Sequence, residues 1–342
     1  MITSRRNIIA ASALVISMMT AGFPSMASAQ EKVIRVMTYG STWEKVLKPK
    51  AEEYLKATGV KIEPIIQNSS SEGLAKIQAS RANPGVDIWF TGEAIANRAA
   101  TDKELFLDIP TDKVPNLAKV MPGTVQQKFV PFWYFPTGIV YRTDLVPGGK
   151  VTSWEELFTP PFKNKISLPA PTVYAGRIVL LASLLSGGSI DNIEPGLEFL
   201  RKNRDQVAMF HSADSAARKA LASGEIIAMF GSPSAVKEML DKGIPAAMVS
   251  PKPTPITIEG MMIVNNGNAD AAAQFINWSL SPETQKFMTD VYNLAPVNVD
   301  VEPAADLKAV LPTQENAVRF DEAKINENLG KWTEAFNAAI AK

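Results

Sequence analysis

Cysteine is absent from the 342-residue sequence, and histidine occurs once, as His211. The absence of cysteine excludes thiol catalysis and thiolate metal sites, and a large core can fold without disulfides. Ser-His-Asp catalysis would have to use His211, and the sequence contains no G-x-S-x-G motif. Because His211 ends the apolar run VAMFH, we interpret it as a structural residue.

An excess of charge of either sign is also missing. The 35 Lys and Arg residues balance 35 Asp and Glu residues, so the formal net charge is zero. No basic stripe interrupts this balance, and nucleic acid is therefore not an expected partner. No second long apolar run follows the first 30 residues, so we expect a soluble mature protein that does not span a membrane.

The N-terminal segment has the features of an export signal. Arg5 and Arg6 precede an apolar stretch, and Ala27-Ser28-Ala29 is a small-x-small cleavage site. This pattern predicts a secretory signal peptide over residues 1–29 and a periplasmic mature protein. The segment SRRNII also resembles a twin-arginine signal, so both the Sec and the twin-arginine routes stay open.

The mature chain has the length of two domains, and strand-like and helical segments alternate along it. Such alternation predicts α/β lobes built on largely parallel sheets. The predicted strands of a first lobe are 33–39, 60–66 and 86–91, with a return strand at 257–264. The predicted strands of a second lobe are 165–171, 207–211, 225–231 and 246–251. The extended aromatic segment FWYFPTGIVYRTDL (132–145) is predicted to cross between them.

Ligands of open α/β sheets bind beyond the carboxyl ends of the strands. Two such lobes joined by extended crossings present these ends to each other. The predicted architecture is therefore two-lobed, with a ligand cleft between the lobes that closes by a hinge motion.

Four segments, in this order along the chain, resemble one known family. They are GVDIWFTGE (85–93), PTGIVYRTDLV (136–146), SWEELFTPPFKNKISLP (153–169) and IEGMMIVNNGNADAAAQFINWSLSPETQKFM (258–288). The chain resembles the periplasmic solute-binding proteins of ABC importers, in the branch that binds spermidine/putrescine, ferric iron, thiamine or aminoethylphosphonate. The resemblance implies a type II periplasmic-binding fold, no catalysis, and a monomer that delivers a small-molecule solute to an inner-membrane ABC permease.

The resemblance and the strand pattern together place the lobe boundaries. We expect lobe 1 at 30–137 plus 261–297, lobe 2 at 138–260, and a helical C-terminal segment at 298–342 that packs on the lobes. In this family the loops after the strands contact the solute, and most of those loops open helices here. Free N–H groups at helix starts can bind anions, although the serines at these positions can equally be simple N-caps. The candidate ligand-binding residues are Tyr39, Ser41, Trp43, Ser70, Thr91, Glu93, Tyr174, Arg177, Ser232 and Glu259. No metal, cofactor or catalytic residue is expected.

Two charged candidates predict the kind of solute. Glu259 stands where the resemblance implies an acidic residue that serves an ammonium group. Arg177 opens a helix, where the macrodipole disfavours a cation that has nothing to bind. The pair suits a zwitterion with an amine at one end and an acid at the other. On this hypothesis, Arg177→Ala abolishes binding and leaves the fold intact, and pairing of Arg177 with a neighbouring surface acid is the competing interpretation.

Other solutes stay open at this stage. Trp43, Trp89, Tyr134 and Tyr174 are candidate apolar walls for the zwitterion. A polyamine would use Glu259, because its ammonium groups need carboxylates and aromatic contacts. Ferric-iron members use adjacent tyrosines, which this sequence lacks. Thiamine binding in the same fold, an exported carboxylate-dependent hydrolase and a solute-reporting partner of a chemoreceptor are further alternatives.

Overall fold

The computed structural model of the protein describes residues 32–313 and 315–341. The predicted signal peptide lies outside the described residues. The strands are β1 (Lys32–Tyr39), β2 (Val60–Gln67), β3 (Ile88–Gly92), β4 (Phe106–Leu107), β5 (Val130–Pro136), β6 (Gly138–Arg142), β7 (Ile166–Pro169), β8 (Val207–His211), β9 (Ala228–Gly231), β10 (Ala246–Val249), β11 (Thr254–Val264), β12 (Ala295–Pro296) and β13 (Ala317–Val318). Each predicted strand has an observed counterpart within a few residues.

The helices follow the strands in alternation through most of the chain. They are α1 (Gly40–Thr42), α2 (Lys48–Thr58), α3 (Ser70–Ala79), α4 (Glu93–Ala99), α5 (Arg177–Leu185), α6 (Glu194–Asn203), α7 (Asp214–Ser223), α8 (Pro233–Asp241), α9 (Ala269–Ser279), α10 (Pro282–Tyr292), α11 (Ala305–Val310) and α12 (Glu322–Ile340). A π-helical stretch (Trp43–Leu47) joins α1 to α2. Short 3₁₀ helices lie at Thr111–Lys113, Pro115–Lys119, Pro147–Gly149, Glu155–Phe158, Pro160–Phe162 and Arg204–Gln206. Across the described part of the chain, no helix combines the length and the apolar character that a membrane span requires.

Two separate sheets divide the structure, and we name the halves after them. Lobe 1 is built on the sheet ordered β12-β5-β11-β3-β1-β2, with β4 and β13 also paired to β11. Its β1, β2 and β3 are parallel, and β11 runs antiparallel to β3 and β5. Lobe 2 is built on the sheet ordered β10-β6-β9-β7-β8, in which β7 is parallel to β8 and β9. The predicted two-sheet α/β architecture is therefore confirmed.

The crossings between the lobes lie side by side. Thr137, between β5 and β6, donates its backbone N–H to the carbonyl of Pro255 at 2.9 Å. A Cβ on the next residue, Gly138, would lie 2.4 Å from the carbonyl oxygen of Val249. Only glycine permits this approach of two backbones, so the PTG sequence fixes where the two crossings meet.

One predicted boundary differs from the structure. The expected end of lobe 2 at residue 260 cuts β11 in two, whereas all of β11 belongs to the lobe 1 sheet from Thr254 onward. The crossing between the lobes lies before Thr254, where β11 begins. The apolar run TPITIEGMMIV has no local signal inside it that marks a lobe boundary. The C-terminal segment is largely helical, and it also contributes β13 to lobe 1.

Candidate functional site

A cavity with a volume of about 650 Å³ lies between the lobes. The carboxyl ends of β1, β2 and β3 reach it from lobe 1, and the segments after β7, β8 and β9 reach it from lobe 2. Helices α3, α5, α7 and α8 begin at its surface. This is the position that the strand topology predicts for a ligand site.

The lobe 1 wall carries a network of hydroxyl groups. The Tyr39 and Ser70 hydroxyls lie 2.7 Å apart, and the Ser70 oxygen also accepts the backbone N–H of Gly92 at 3.1 Å. The Ser41 and Tyr292 hydroxyls lie 2.7 Å apart. Burial raises the pKa of Tyr39 far above its ordinary value, so its side chain remains a neutral phenol that can donate or accept a hydrogen bond.

Glu259 lies at the base of this wall and faces Trp133 on the neighbouring strand of the antiparallel pair. The Trp133 indole N–H donates to Glu259 Oε2 at 2.8 Å. The pairing shifts by one residue beside Glu259, because Phe132 of β5 has no partner opposite Glu259 and Gly260. A Cβ on Gly260 would lie 2.1 Å from the Val130 carbonyl oxygen, so glycine permits β5 to lie this close to β11.

Glu259 has no direct ion-pair partner among the described residues. Burial raises the pKa of its carboxyl group, while the Trp133 hydrogen bond and the charge of Arg177 oppose this rise. Among the residues described, no Lys, Arg or His forms an ion pair with it. A partly buried charge without a counter-ion is unfavourable, so this carboxylate is suited to receive a cation from outside the protein.

The lobe 2 wall is held together by Asp214 and Arg218. Asp214 accepts the Tyr174 hydroxyl at 2.6 Å and the Arg218 Nε–H at 2.5 Å. Arg218 also donates to Ser234 Oγ at 2.9 Å and to Glu238 at 3.1 Å. The charge of Arg218 is therefore already shared between two carboxylates. This network fixes the direction of the Tyr174 phenol at the cavity surface.

Arg177 is the first residue of α5 and is only 2% exposed. Its Nη2 donates to Glu322 Oε1 at 2.5 Å, and its Nη1 donates to the Tyr174 carbonyl at 3.1 Å. Arg177 is therefore paired with an acid of the protein, but this acid is the buried Glu322 and not the neighbouring surface acid of the competing interpretation. The partner is buried and belongs to α12. It also explains how a cation is tolerated at the start of α5.

The structure brings most of the predicted site residues together and separates two of them. Those that line the cavity are Tyr39, Ser41, Ser70, Glu93, Tyr174, Arg177, Ser232 and Glu259. Trp43 does not line it, because the π-helical stretch turns its ring against the lobe 1 core. Thr91 is fully buried beneath the cavity and donates to the Gly92 carbonyl at 3.3 Å. Neither of these two residues is among those that line the cavity.

Two of the predicted apolar walls likewise lie outside the cavity lining. Trp89 is fully buried and donates to Gln67 Oε1, and Tyr134 is partly buried against two core clusters of lobe 1. Trp133, the immediate neighbour of Tyr134, does line the cavity, as do Tyr39, Phe135, Tyr174 and Tyr292. Adjacent residues of a strand point to opposite faces of the sheet, so an error of one position along the strand exchanges Trp133 and Tyr134.

Sequence reasoning missed several lining residues, including Trp133, Asp214, Arg218 and Tyr292. Asp214 follows the end of β8, just as the predicted residues follow the ends of their strands. The position after a strand end was therefore a signal that could have identified it. Arg218 lies one helical turn later on the same face. Tyr292 ends α10 and comes from a distant part of the chain, without a local signal.

Residues 50–313 match the family described as bacterial extracellular solute-binding protein. The chain belongs to this family. Two curated relatives are the spermidine/putrescine-binding periplasmic protein 1 of Haemophilus influenzae and the spermidine/putrescine-binding periplasmic protein of Escherichia coli. The first is 25% identical over 74% of this chain and 72% of its own length. The second is 24% identical over 98% of this chain and 94% of its own length. A crystal structure of an ABC transporter protein from Clostridium perfringens is 26% identical, has a TM-score of 0.72, and is matched over 90% of this chain and 100% of its own.

This extracellular solute-binding protein is the substrate-binding component of an ABC transporter and not an enzyme. The hydrolase alternative is therefore wrong. His211 fits that conclusion, because its Nδ1 lies 2.8 Å from the Ser167 hydroxyl inside lobe 2 and the ring is only 2% exposed. The curated relatives are periplasmic, which implies export of this chain as well.

Proposed function

We propose that the cavity binds a small organic solute through an ammonium group, and that Glu259 holds this group. The observation that carries the proposal is the charge state of the cavity. Both arginines at its surface, Arg177 and Arg218, are paired with carboxylates of the protein, whereas Glu259 has only the Trp133 N–H. An incoming cation is the complement of such a surface.

The rings around Glu259 support the same class of solute. Trp133 and Tyr292 meet edge to face with their centroids 5.6 Å apart, and both line the cavity together with Tyr39. Aromatic faces attract organic cations, and the attraction is stronger where water is excluded. Phenol and indole groups also tolerate the alkyl chain that connects the ends of an amine solute.

The lobe 2 wall supports two kinds of second group. A second ammonium group would find the Asp214 carboxylate, which suits a polyamine-like solute, and the names of the curated relatives agree with this choice. An acid group would find the starts of α5, α7 and α8 and the Ser232 hydroxyl, which suits the zwitterionic solute. In the zwitterionic case the helix starts would replace the direct contact with Arg177 that the sequence predicts.

Ferric iron is less well supported by this cavity. Iron bound by tyrosines takes the phenolate form, and burial raises the pKa of both Tyr39 and Tyr174 well above the ordinary value. The described residues also contain no group of three or more His, Asp or Glu side chains placed to hold a metal ion. Thiamine carries a cationic ring and stays an alternative occupant of the same position.

We further propose that the mature protein acts as a monomer in the periplasm and delivers the solute to an inner-membrane permease. A thermal-shift panel on the chain from residue 30 tests the class of solute. It includes putrescine, spermidine, γ-aminobutyrate, thiamine and ferric citrate, with 1,4-butanediol as an amine-free control for putrescine. A ligand at about 100 times its Kd should add about 2.7 kcal/mol to the free energy of unfolding.

Stabilisation by putrescine, spermidine or γ-aminobutyrate, and none by 1,4-butanediol, supports the proposal. Stabilisation by putrescine and spermidine without γ-aminobutyrate selects the polyamine-like solute, and the reverse selects the zwitterion. Stabilisation by ferric citrate alone, or equal stabilisation by putrescine and 1,4-butanediol, would overturn it.

A further inference from the structure

Two residues of β11 that line the cavity lie on the same face of the strand. Thr257 and Glu259 are two positions apart, and they pair with Phe135 and Trp133 of β5. Alternate residues of a strand share a face, and all four of these residues line the cavity. Ile258, between Thr257 and Glu259, belongs to a core cluster of lobe 1. The cavity wall at this point therefore consists of two cross-strand pairs, one with Glu259 and the other with Thr257.

The Thr257 hydroxyl group has no hydrogen-bond partner among the described residues, and the residue is only 8% exposed. A buried hydroxyl group without a partner is unfavourable, whereas valine has nearly the same shape and lacks this polar group. Thr42 also lines the cavity with an unpartnered hydroxyl group, but it lies on α1 and not on the strand that carries Glu259. The packing of lobe 1 thus gives no reason for a hydroxyl group at position 257, and a group in the cavity can supply one.

The spacing of Thr257 and Glu259 suits one nitrogen atom between their side chains. Alternate Cα atoms of a strand lie about 6.6 Å apart, and two hydrogen bonds of about 2.9 Å span nearly this distance. Glu259 Oε2 already accepts the Trp133 N–H, and no donor from the described residues reaches Oε1. Rotation about χ1 exchanges the hydroxyl and methyl positions of Thr257, so the hydroxyl oxygen can turn towards a solute in the cavity.

We propose that Thr257 is a specificity-determining residue that selects a solute with a primary ammonium group. This inference rests on the proposed function, because it requires that Glu259 holds an ammonium group. A primary ammonium group has three N–H donors, so it can donate one to Glu259 Oε1 and another to Thr257 Oγ1. A quaternary ammonium group has no N–H donor and leaves both oxygens without a hydrogen bond. The quaternary ring nitrogen of thiamine has the same deficiency, so Thr257 favours a polyamine or an amino acid over thiamine.

Isothermal titration calorimetry of Thr257→Val tests the inference. The first solute is putrescine or γ-aminobutyrate, whichever gives the larger thermal shift. The second is its trimethylated analogue, 1,4-bis(trimethylammonio)butane or 4-(trimethylammonio)butyrate. We expect Thr257→Val to raise Kd for the primary amine by about tenfold or more, because a hydrogen bond to a charged group is lost. Kd for the analogue should change by less than about twofold, because the analogue cannot donate to the hydroxyl group. If the analogue binds too weakly to be measured, the change in Kd for the primary amine decides.

Two further variants separate the hydroxyl group from its packing. Thr38→Val is the matched control, because Thr38 lies on β1 of the same sheet and is fully buried. Its hydroxyl group also has no partner in the described part of the chain, but Thr38 is not among the residues that line the cavity. Its Kd should match that of the parent. Thr257→Ser keeps the hydroxyl group and should bind the primary amine nearly as well as the parent does. Thr257→Ala replaces Thr257→Val if the valine variant does not fold.

A Kd for the primary amine within about twofold of the parent, in folded Thr257→Val, would overturn the inference. A loss of the same size in Thr257→Ser, or for the trimethylated analogue, would also overturn it, since altered packing would then explain the result. Glu259→Gln separates this inference from the proposed function. Weaker binding in Glu259→Gln with unchanged binding in Thr257→Val refutes only the role of Thr257, whereas unchanged binding in both refutes the ammonium site itself.

Discussion

The replacement Glu259→Gln removes one charge from the cavity and little else. The amide has the shape of the carboxyl group and keeps an oxygen that can accept the Trp133 N–H, now 2.8 Å from Glu259 Oε2. Because burial without a paired cation raises the pKa of Glu259, the neutral amide should not destabilise the ligand-free protein. We expect its melting temperature to stay the same or to rise.

The effect on binding is much larger. An ammonium group about 4 Å from a carboxylate interacts by about 4 kcal/mol at an effective dielectric constant of about 20. Net contributions of hydrogen bonds to charged groups are smaller, at about 1.5–3 kcal/mol, because water competes for both partners. The desolvation of Glu259 already occurs in the free protein, so the upper half of this range applies. We expect Glu259→Gln to raise Kd by about 45- to 160-fold for the amine solute that the thermal-shift panel identifies.

Isothermal titration calorimetry of the parent and the variant measures this change. Glu63→Gln is the matched control, because Glu63 lies on the exposed edge strand of lobe 1 and its replacement changes the net charge by the same amount. Its Kd should stay within about twofold of the parent, as expected for a screened surface charge. A Kd for Glu259→Gln that stays within the same limits, in a folded variant, would refute the assignment of Glu259 to the ammonium group.

Four further predictions concern the same walls. Affinity for the amine solute should fall as pH drops through the pKa of Glu259, which burial raises above its ordinary value, and calorimetry across mildly acidic pH should find this dependence absent in Glu259→Gln. The stability of the ligand-free protein should depend on pH in the opposite direction, because the carboxyl group of Glu259 binds its proton more tightly in the folded than in the unfolded state. Thermal unfolding without ligand should therefore show stability falling as pH rises through that pKa. Trp133→Phe removes the N–H donor to Glu259, and calorimetry should show a loss of about 2- to 12-fold in affinity; an unchanged Kd would show that this hydrogen bond does not orient the carboxylate. Arg177→Gln leaves the Glu322 carboxylate buried without its cation, so denaturant titration should show about 3–5 kcal/mol less stability, whereas an unchanged midpoint would contradict the pairing.

The last of these replaces an expectation drawn from the sequence. The zwitterion hypothesis treats Arg177 as free to bind a solute, so that its removal spares the fold. In the structure its partner Glu322 lies 145 residues away along the chain. Helix periodicity and capping signals are local, and they identify a cation at the start of α5 without identifying what neutralises it.

Local signals were nevertheless sufficient for most of the architecture. Runs of β-branched and apolar residues bounded by glycine and serine predict the strands, and the strand ends predict which loops face the cleft. Tyr39, Ser70 and Ser232 follow from this reasoning alone, since each stands at the end of a strand or the start of the next helix. Prediction of these residues needs no knowledge of which strands are neighbours.

The remaining lining residues depend on pairings between distant strands. Trp133 and Glu259 are 126 residues apart and meet only because β5 and β11 pair in one register with a bulge beside Gly260. Register decides which face of a strand meets the cavity, and a shift of one residue would exchange Trp133 for Tyr134. This is why Glu259 is among the predicted site residues, while Tyr134 is predicted as a wall of the cavity in place of Trp133.

A crystal structure with the bound solute tests the central claim most directly. The solute would be whichever of putrescine and γ-aminobutyrate gives the larger thermal shift. The account predicts its ammonium nitrogen at about 2.7–3.2 Å from a Glu259 carboxylate oxygen, with Trp133 and Tyr292 beside it. A solute bound between the lobes with its acid end or its alkyl chain at Glu259, or bound outside the cavity, would contradict the account.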